Sequence, residues 1–159
     1  MERSLSPNAQ RVQEALRVGG LTCRVQELPA STRTAQEAAQ AVGCRVGQIA
    51  KSLIFRGKDS GRPYLVITSG ANRVNETRLA TLVSEPVEKP DAAFVRQATG
   101  FPIGGVPPVG HAHPIETFVD EDFLGYDQIW AAAGTPNSVF ELTPEDLIRV
   151  TAGTVVSVV

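Results

Sequence analysis

The chain has 159 residues, with 15 basic and 17 acidic side chains and a formal net charge of −2. That length suits one domain and can bury a full core without disulfides or metals. The charge balance excludes a protein that coats nucleic acid along its length, but it leaves room for a local basic patch gripping one end.

Cys23 and Cys44 are the only cysteines, and their spacing matches no zinc or thioredoxin motif. The first residues form no apolar signal segment, and no stretch is long enough to span a membrane, so a cytoplasmic protein without a membrane partner is expected. Ser6-Pro7 reads as a helix cap followed by proline at the first helical position. Ala9, Val12 and Leu16 then share one helical face, and Gly19-Gly20 closes an N-terminal helix within residues 1–20. Residues 22–28 alternate as a strand. Thr34-Ala-Gln-Glu37 has the form of a capping box opening a helix that stops at Gly43. Residues 49–55 and 63–68 read as buried central strands joined by a turn, with Lys51 the one charged exception.

Asn75 caps a short helix containing Leu79 and Leu82, and a further helix spans residues 91–98 before Gly100. Strands are expected at 116–119, 128–132 and 138–142. Thr143-Pro144-Glu145-Asp146 starts a last helix, and residues 154–159 form a closing β-branched strand. Strands outnumber helices and do not alternate strictly with them. The fold class implied is α+β: residues 1–159 as a single domain with a mixed, barrel-like β-sheet flanked by helices.

The least ordinary stretch is Thr99-Gly-Phe-Pro-Ile-Gly-Gly-Val-Pro-Pro-Val-Gly-His111. Gly104 and Gly105 lack side chains, so their amides can approach a ligand oxygen, and the prolines limit the loop's freedom. Fixed amides aimed at developing negative charge form an oxyanion hole; glycines serving turns alone are the plainer reading. Neither a Walker loop nor a dinucleotide fingerprint fits these residues. Lys51 costs free energy among core residues unless it is paired or faces a cavity, where it would bind phosphate or carboxylate.

His111, His113 and Glu116 can be drawn as metal ligands, but no third ligand has firm spacing and Pro114 interrupts the element. Neither Ser52 nor Ser69 sits in a nucleophile elbow. No metal and no cofactor are therefore expected. Without a protein nucleophile, an enzyme of this sequence must use water, helped by amides or by the substrate. Two further turns, Thr68-Ser-Gly-Ala-Asn-Arg-Val-Asn75 and Ala133-Gly-Thr-Pro-Asn-Ser138, have the composition of cavity-lining loops.

Taken in order, Gln48-Ile-Ala-Lys-Ser-Leu-Ile-Phe55, the loop ending at His111 and Ala133-Gly-Thr-Pro-Asn137 resemble the YbaK family. That family holds the editing domains of prolyl-tRNA synthetases and their free-standing relatives. The resemblance implies hydrolysis of the ester joining a wrong small amino acid to tRNA(Pro) or a related tRNA. It implies that Lys51 holds the terminal adenosine, that the amides of Gly104 and Gly105 contact the carbonyl, and that a ribose hydroxyl assists. Ser69, Gly70, Asn72, Thr99, Phe101, Ile103, Val106, His111, Gly134 and Thr135 are the expected substrate-binding residues. Phe101, Ile103 and Thr135 would border a small side-chain pocket. Some prolyl-type members carry a histidine where Gly134-Thr-Pro-Asn137 stands, and this chain does not. The partners the resemblance implies are an aminoacyl-tRNA acceptor end and, as a further candidate, an aminoacyl-tRNA synthetase, with no DNA. A non-catalytic module binding nucleotides or tRNA ends is the alternative.

Overall fold

Residues 5–159 are described by the computed structural model, so residues 1–4 of the expected N-terminal segment lie outside it. Helix α1 (Pro7–Val18) turns Ala9, Val12 and Leu16 inward with no exposure. Its end is set by Gly19, whose N–H donates to the Ala15 carbonyl at 3.0 Å. Ser6 precedes it as expected, but the hydroxyl makes no cap; instead the Ser6 N–H donates to the Glu27 carboxylate at 2.7 Å.

The strand expected at 22–28 shrinks to β1 (Gln26–Glu27). The reason lies in α1. The Gln13 amide donates to the Cys23 carbonyl at 3.0 Å and accepts the Val25 N–H at 2.8 Å, so a side chain satisfies backbone groups that a ladder would otherwise need. Thr34 caps α2 (Ala35–Val42) by accepting the Glu37 N–H at 3.1 Å, and Gly43 ends it in the left-handed region at φ +76°. A single 3-10 turn (Val46–Gln48) leads into β2 (Ile49–Gly57), followed by β3 (Pro63–Ser69), α3 (Glu76–Val83) and β4 (Val87–Glu88). Then come α4 (Ala92–Thr99), β5 (Glu116–Asp120), a 3-10 segment (Glu121–Gly125), β6 (Ile129–Ala132), β7 (Ser138–Leu142), α5 (Pro144–Thr151) and β8 (Thr154–Val156).

Among the described residues the eight strands form one mixed sheet in the order β1-β7-β6-β2-β3-β5-β8, with β4 added to the far end of β2. β2 runs antiparallel to β3 and β4 and parallel to β6; β3–β5 and β5–β8 are parallel. The α+β class with a mixed sheet is as the sequence implies. β8 is shorter than expected because the Asn75 N–H takes the Val158 carbonyl at 2.7 Å, drawing the end of the chain off the ladder toward α3.

Strand alternation divides the core. Ala50, Ile54, Leu65 and Ile67 join the main cluster with α1, Phe101, Phe123 and Phe140. Phe55, Tyr64 and Val66 join Leu79 of α3 and Val158 in a second cluster. Ile49 joins Ala35, Ala38 and Ala39 of α2 in a third, with Trp130 packed against it. On the face of β2 bearing Ile49, Lys51, Leu53 and Phe55, α2 therefore covers one end and α3 the other. Lys51 falls in the gap between them.

Candidate active site

Two cavities open at that gap. The smaller, of about 230 Å³, is walled by Ala35 and Ala38 of α2, by Ile49 of β2, and by Trp130 and Ala131 of β6. Thr32, Arg33 and Thr34 stand at its rim, and no histidine, cysteine or carboxylate lines it. The larger, of about 710 Å³, runs along β2 past Thr68, Gly70 and Asn72 to Arg73, Glu76 and Lys89. Lys51, Ser52, Leu53, Ile103, Gly104 and Val106 line both, so they form the shared wall.

Lys51 is half-buried and pairs in register with Thr68. Among the described residues no carboxylate lies within ion-pair distance of it, the only two ion pairs being Glu14–Arg17 and Asp146–Arg149. Its ammonium is thus free for an anionic or carbonyl-bearing ligand. Ser52 alternates to the opposite face, and its hydroxyl is shielded from solvent and has no hydrogen-bond partner.

The glycine-rich loop divides in two. Gly104 lies at φ +88°, a region that disfavours side chains, and a Cβ there would stand 2.9 Å from Cγ of Arg33. Its N–H donates to no protein acceptor among the described residues. Gly105 behaves differently. Its N–H donates to the Pro102 carbonyl at 3.2 Å, and its α-carbon packs against the Thr135 backbone, where a Cβ would come within 3.1 Å. The pair of free amides expected from the sequence therefore reduces to Gly104, with Gly105 closing the turn that presents it.

Several other expected binding residues stand behind the site. Phe101 has no exposure and belongs to the main core, with the Arg11 guanidinium 4.5 Å from its ring centre. Thr99 is equally buried, donating to the Val95 carbonyl at 2.7 Å and accepting the Phe101 N–H at 3.0 Å. Gly134, at φ +94°, makes room for the Phe101 ring, and the Thr135 hydroxyl bonds Asn137 and Ser138. None of these lines either cavity. The small pocket expected beside Phe101 and Thr135 lies instead between α2 and β6, and of the three residues placed there only Ile103 reaches it.

His111 is also directed inward. Its Nε2–H donates to the Pro107 carbonyl at 2.7 Å, and burial together with the Arg11 charge pushes its pKa down, partly offset by that hydrogen bond. His113 is exposed, and among the described residues no group of three histidine, cysteine or acidic side chains has the geometry of a metal site.

Ser69, Gly70 and Asn72 are placed by a carboxylate that sequence reading missed. Asp120, 1% exposed, accepts the Ser69 N–H and the Asn72 amide, each at 2.9 Å, and the Thr68 hydroxyl at 3.2 Å. Ser69 itself is buried and donates to the Gly47 carbonyl, while Gly70 and Asn72 line the larger cavity. Asp120 had no local signal, since it ends an ordinary apolar strand. Arg33, Ala35, Ala38 and Trp130 were missed for a similar reason: each looks like surface or core until α2 and β6 meet across β2.

The fold and this wall define an aminoacyl-tRNA editing domain. The family model so described matches residues 29–150, and the chain belongs to that family. A crystal structure of a candidate trans-editing enzyme for prolyl-tRNA synthetase superposes with a TM-score of 0.91 at 52% identity, covering 97% of this chain and 98% of that one. The uncharacterised YwhH of Bacillus subtilis strain 168 is 32% identical over 123 residues, 77% of this chain and 78% of its own. EbsC of Enterococcus faecalis, a candidate Cys-tRNA(Pro)/Cys-tRNA(Cys) deacylase, is 27% identical over 121 residues, covering 76% and 73%.

Proposed function

We propose that this protein is a free-standing deacylase that removes a wrongly attached small amino acid from tRNA(Pro) or a related tRNA. The observation that carries the reading is the shared wall, where Lys51, with a free ammonium, and Gly104, with a free amide, border both an amino-acid-sized cavity and a larger, cation-rimmed one. The relatives named above support the chemistry. The aminoacyl side chain enters the smaller cavity, whose alanines and Trp130 limit it to small groups. The terminal nucleotide lies in the larger cavity against Lys51.

In this arrangement the ester carbonyl points at the Gly104 amide. Water adds to the carbonyl carbon, and the amide and Lys51 stabilise the oxyanion in a partly desolvated site. The carbon–oxygen bond to the ribose then breaks, the ribose oxygen takes a proton, and the amino acid leaves as its carboxylate. No histidine, cysteine or carboxylate lines the smaller cavity, so proton transfer falls to water and the neighbouring ribose hydroxyl. An ester already positioned needs little more than orientation and charge stabilisation. On this reading the protein works in the cytoplasm beside the synthetase that makes the error.

The test is a panel of tRNAs, each mischarged with one small amino acid. Release from at least one of them, and its loss in Lys51→Ala, is the expected result. No release from any of them, alongside binding of uncharged tRNA, would leave a non-catalytic tRNA-end module.

A further inference from the structure

The larger cavity holds more positive charge than Lys51 alone explains. The chain has three lysines, and two of them, Lys51 and Lys89, line this one opening together with Arg73. Arg73 lies in the turn after β3, and Lys89 precedes α4, so separate segments bring the charges together. One carboxylate, Glu76, shares the rim. Neither Arg73 nor Lys89 forms an ion pair or a protein hydrogen bond among the described residues; the two ion pairs present lie elsewhere. In a chain of net charge −2, converging unpaired cations raise the local potential and favour an anion spanning them. Leu53, Phe55, Val74 and Pro90 give the same cavity an apolar lining suited to a base or sugar.

We propose that Arg73 and Lys89 bind backbone phosphates of the single-stranded RNA just 5′ of the terminal nucleotide. The direction follows from the deacylase reading, on which it rests: with the aminoacyl group in the smaller cavity and the terminal nucleotide at Lys51, the strand leaves through the larger cavity past these two cations. Both side chains are exposed, and phosphate contacts of this kind carry no sequence information. They would fix where the strand sits while the wall around Lys51 and Gly104 handles the ester.

The experiment measures binding of an uncharged RNA hairpin bearing a single-stranded 3′ end of about four nucleotides. Wild type is compared with Arg73→Gln, Lys89→Gln and the double variant between ~50 and ~200 mM salt. For single-stranded contacts, the slope of log affinity against log salt should flatten by about 0.7 for each cation removed, and by about 1.4 in the double variant. Arg78→Gln, exposed on α3 away from this cavity, serves as the control and should keep the wild-type slope. Thermal melting should be the same for all, because none of these side chains holds the fold. If the hairpin is aminoacylated, the double variant should raise KM and leave kcat in place.

An unchanged slope in the double variant overturns the proposal. So does equal binding of a blunt hairpin, which would mean the single-stranded end is not being held. Full dependence of adenosine monophosphate binding on both cations would overturn it as well, since one nucleotide's own phosphate would then explain them. Complete absence of hydrolysis defeats the deacylase reading alone, because the binding measurement uses uncharged RNA.

Discussion

The two parts of the loop at residues 100–111 look alike in sequence and do opposite work. One part is anchored. Phe101 is sunk in the core, Gly105 closes a turn on Pro102, His111 holds Pro107, and Arg11 reaches the carbonyls of Gly100 and Gly110 at 3.4 and 3.3 Å. The other part, Ile103-Gly104, projects over the gap on β2, with Ile103 53% exposed and the Gly104 amide unused by the protein. The anchored part fixes both ends of the segment that carries the unused Gly104 amide, which is the kind of preorganisation that the proposed oxyanion role would need. Glycine and proline content marks both parts equally.

The largest effect that would break this comparison comes from the anchor. Phe101→Ala should lower stability by about 3–5 kcal/mol, read from denaturant unfolding, because it empties a fully buried ring site beneath Gly134. A loss below ~1 kcal/mol would mean the ring is not the anchor. Lys51→Ala tests the opposite side of the comparison: kcat/KM for the mischarged tRNA should fall by roughly 10²-fold, with stability changed by no more than about 0.5 kcal/mol. A collapse of the fold in that variant would make Lys51 structural.

Thr99→Val removes a hydroxyl that bonds both α4 and the start of the loop, and should cost about 1–2 kcal/mol with the shape retained. The pH dependence of unfolding gives a finer measure. The folded chain resists protonating His111, whereas the unfolded chain takes the proton near the ordinary value of about 6.5. Stability should therefore be fully present above that value and decline as pH falls through it, levelling below the folded pKa. His111→Gln should flatten that decline, and an unaltered profile would place the titration elsewhere. The smallest effect is expected at Ser52. Its shielded hydroxyl has no partner to lose, so Ser52→Ala should leave stability within about 0.5 kcal/mol of wild type or raise it slightly.

Helix starts were readable wherever the signal is local. Asn75 and Thr143 each accept an amide three residues on, both at 3.1 Å, as the sequence predicts, whereas Asp91, read as the first residue of its helix, stands one place before it and caps it by accepting the Phe94 N–H at 2.8 Å. The residues 22–28 were misread because alternation says nothing about which backbone groups will be taken, here by Gln13 from a neighbouring helix. Lys51 was visible as a charge in an apolar strand, an anomaly that has to be resolved by pairing or by a cavity. Asp120, by contrast, ends a strand in unremarkable company, and its three clients on the 68–72 turn come from a parallel neighbour distant in the chain.

What the sequence determined by itself was the α+β class, most element boundaries, and the singling out of Lys51 and of the Gly104-Gly105 pair. These rest on short-range causes: capping chemistry, strand alternation, and the cost of an unpaired charge among apolar side chains. Only the tertiary structure decided which glycine amide is free, which aromatic is core, and where the small cavity lies. Those outcomes depend on how α2 and α3 divide one face of β2 and leave Lys51 uncovered, and such packing joins residues too far apart in the chain for any local pattern to record.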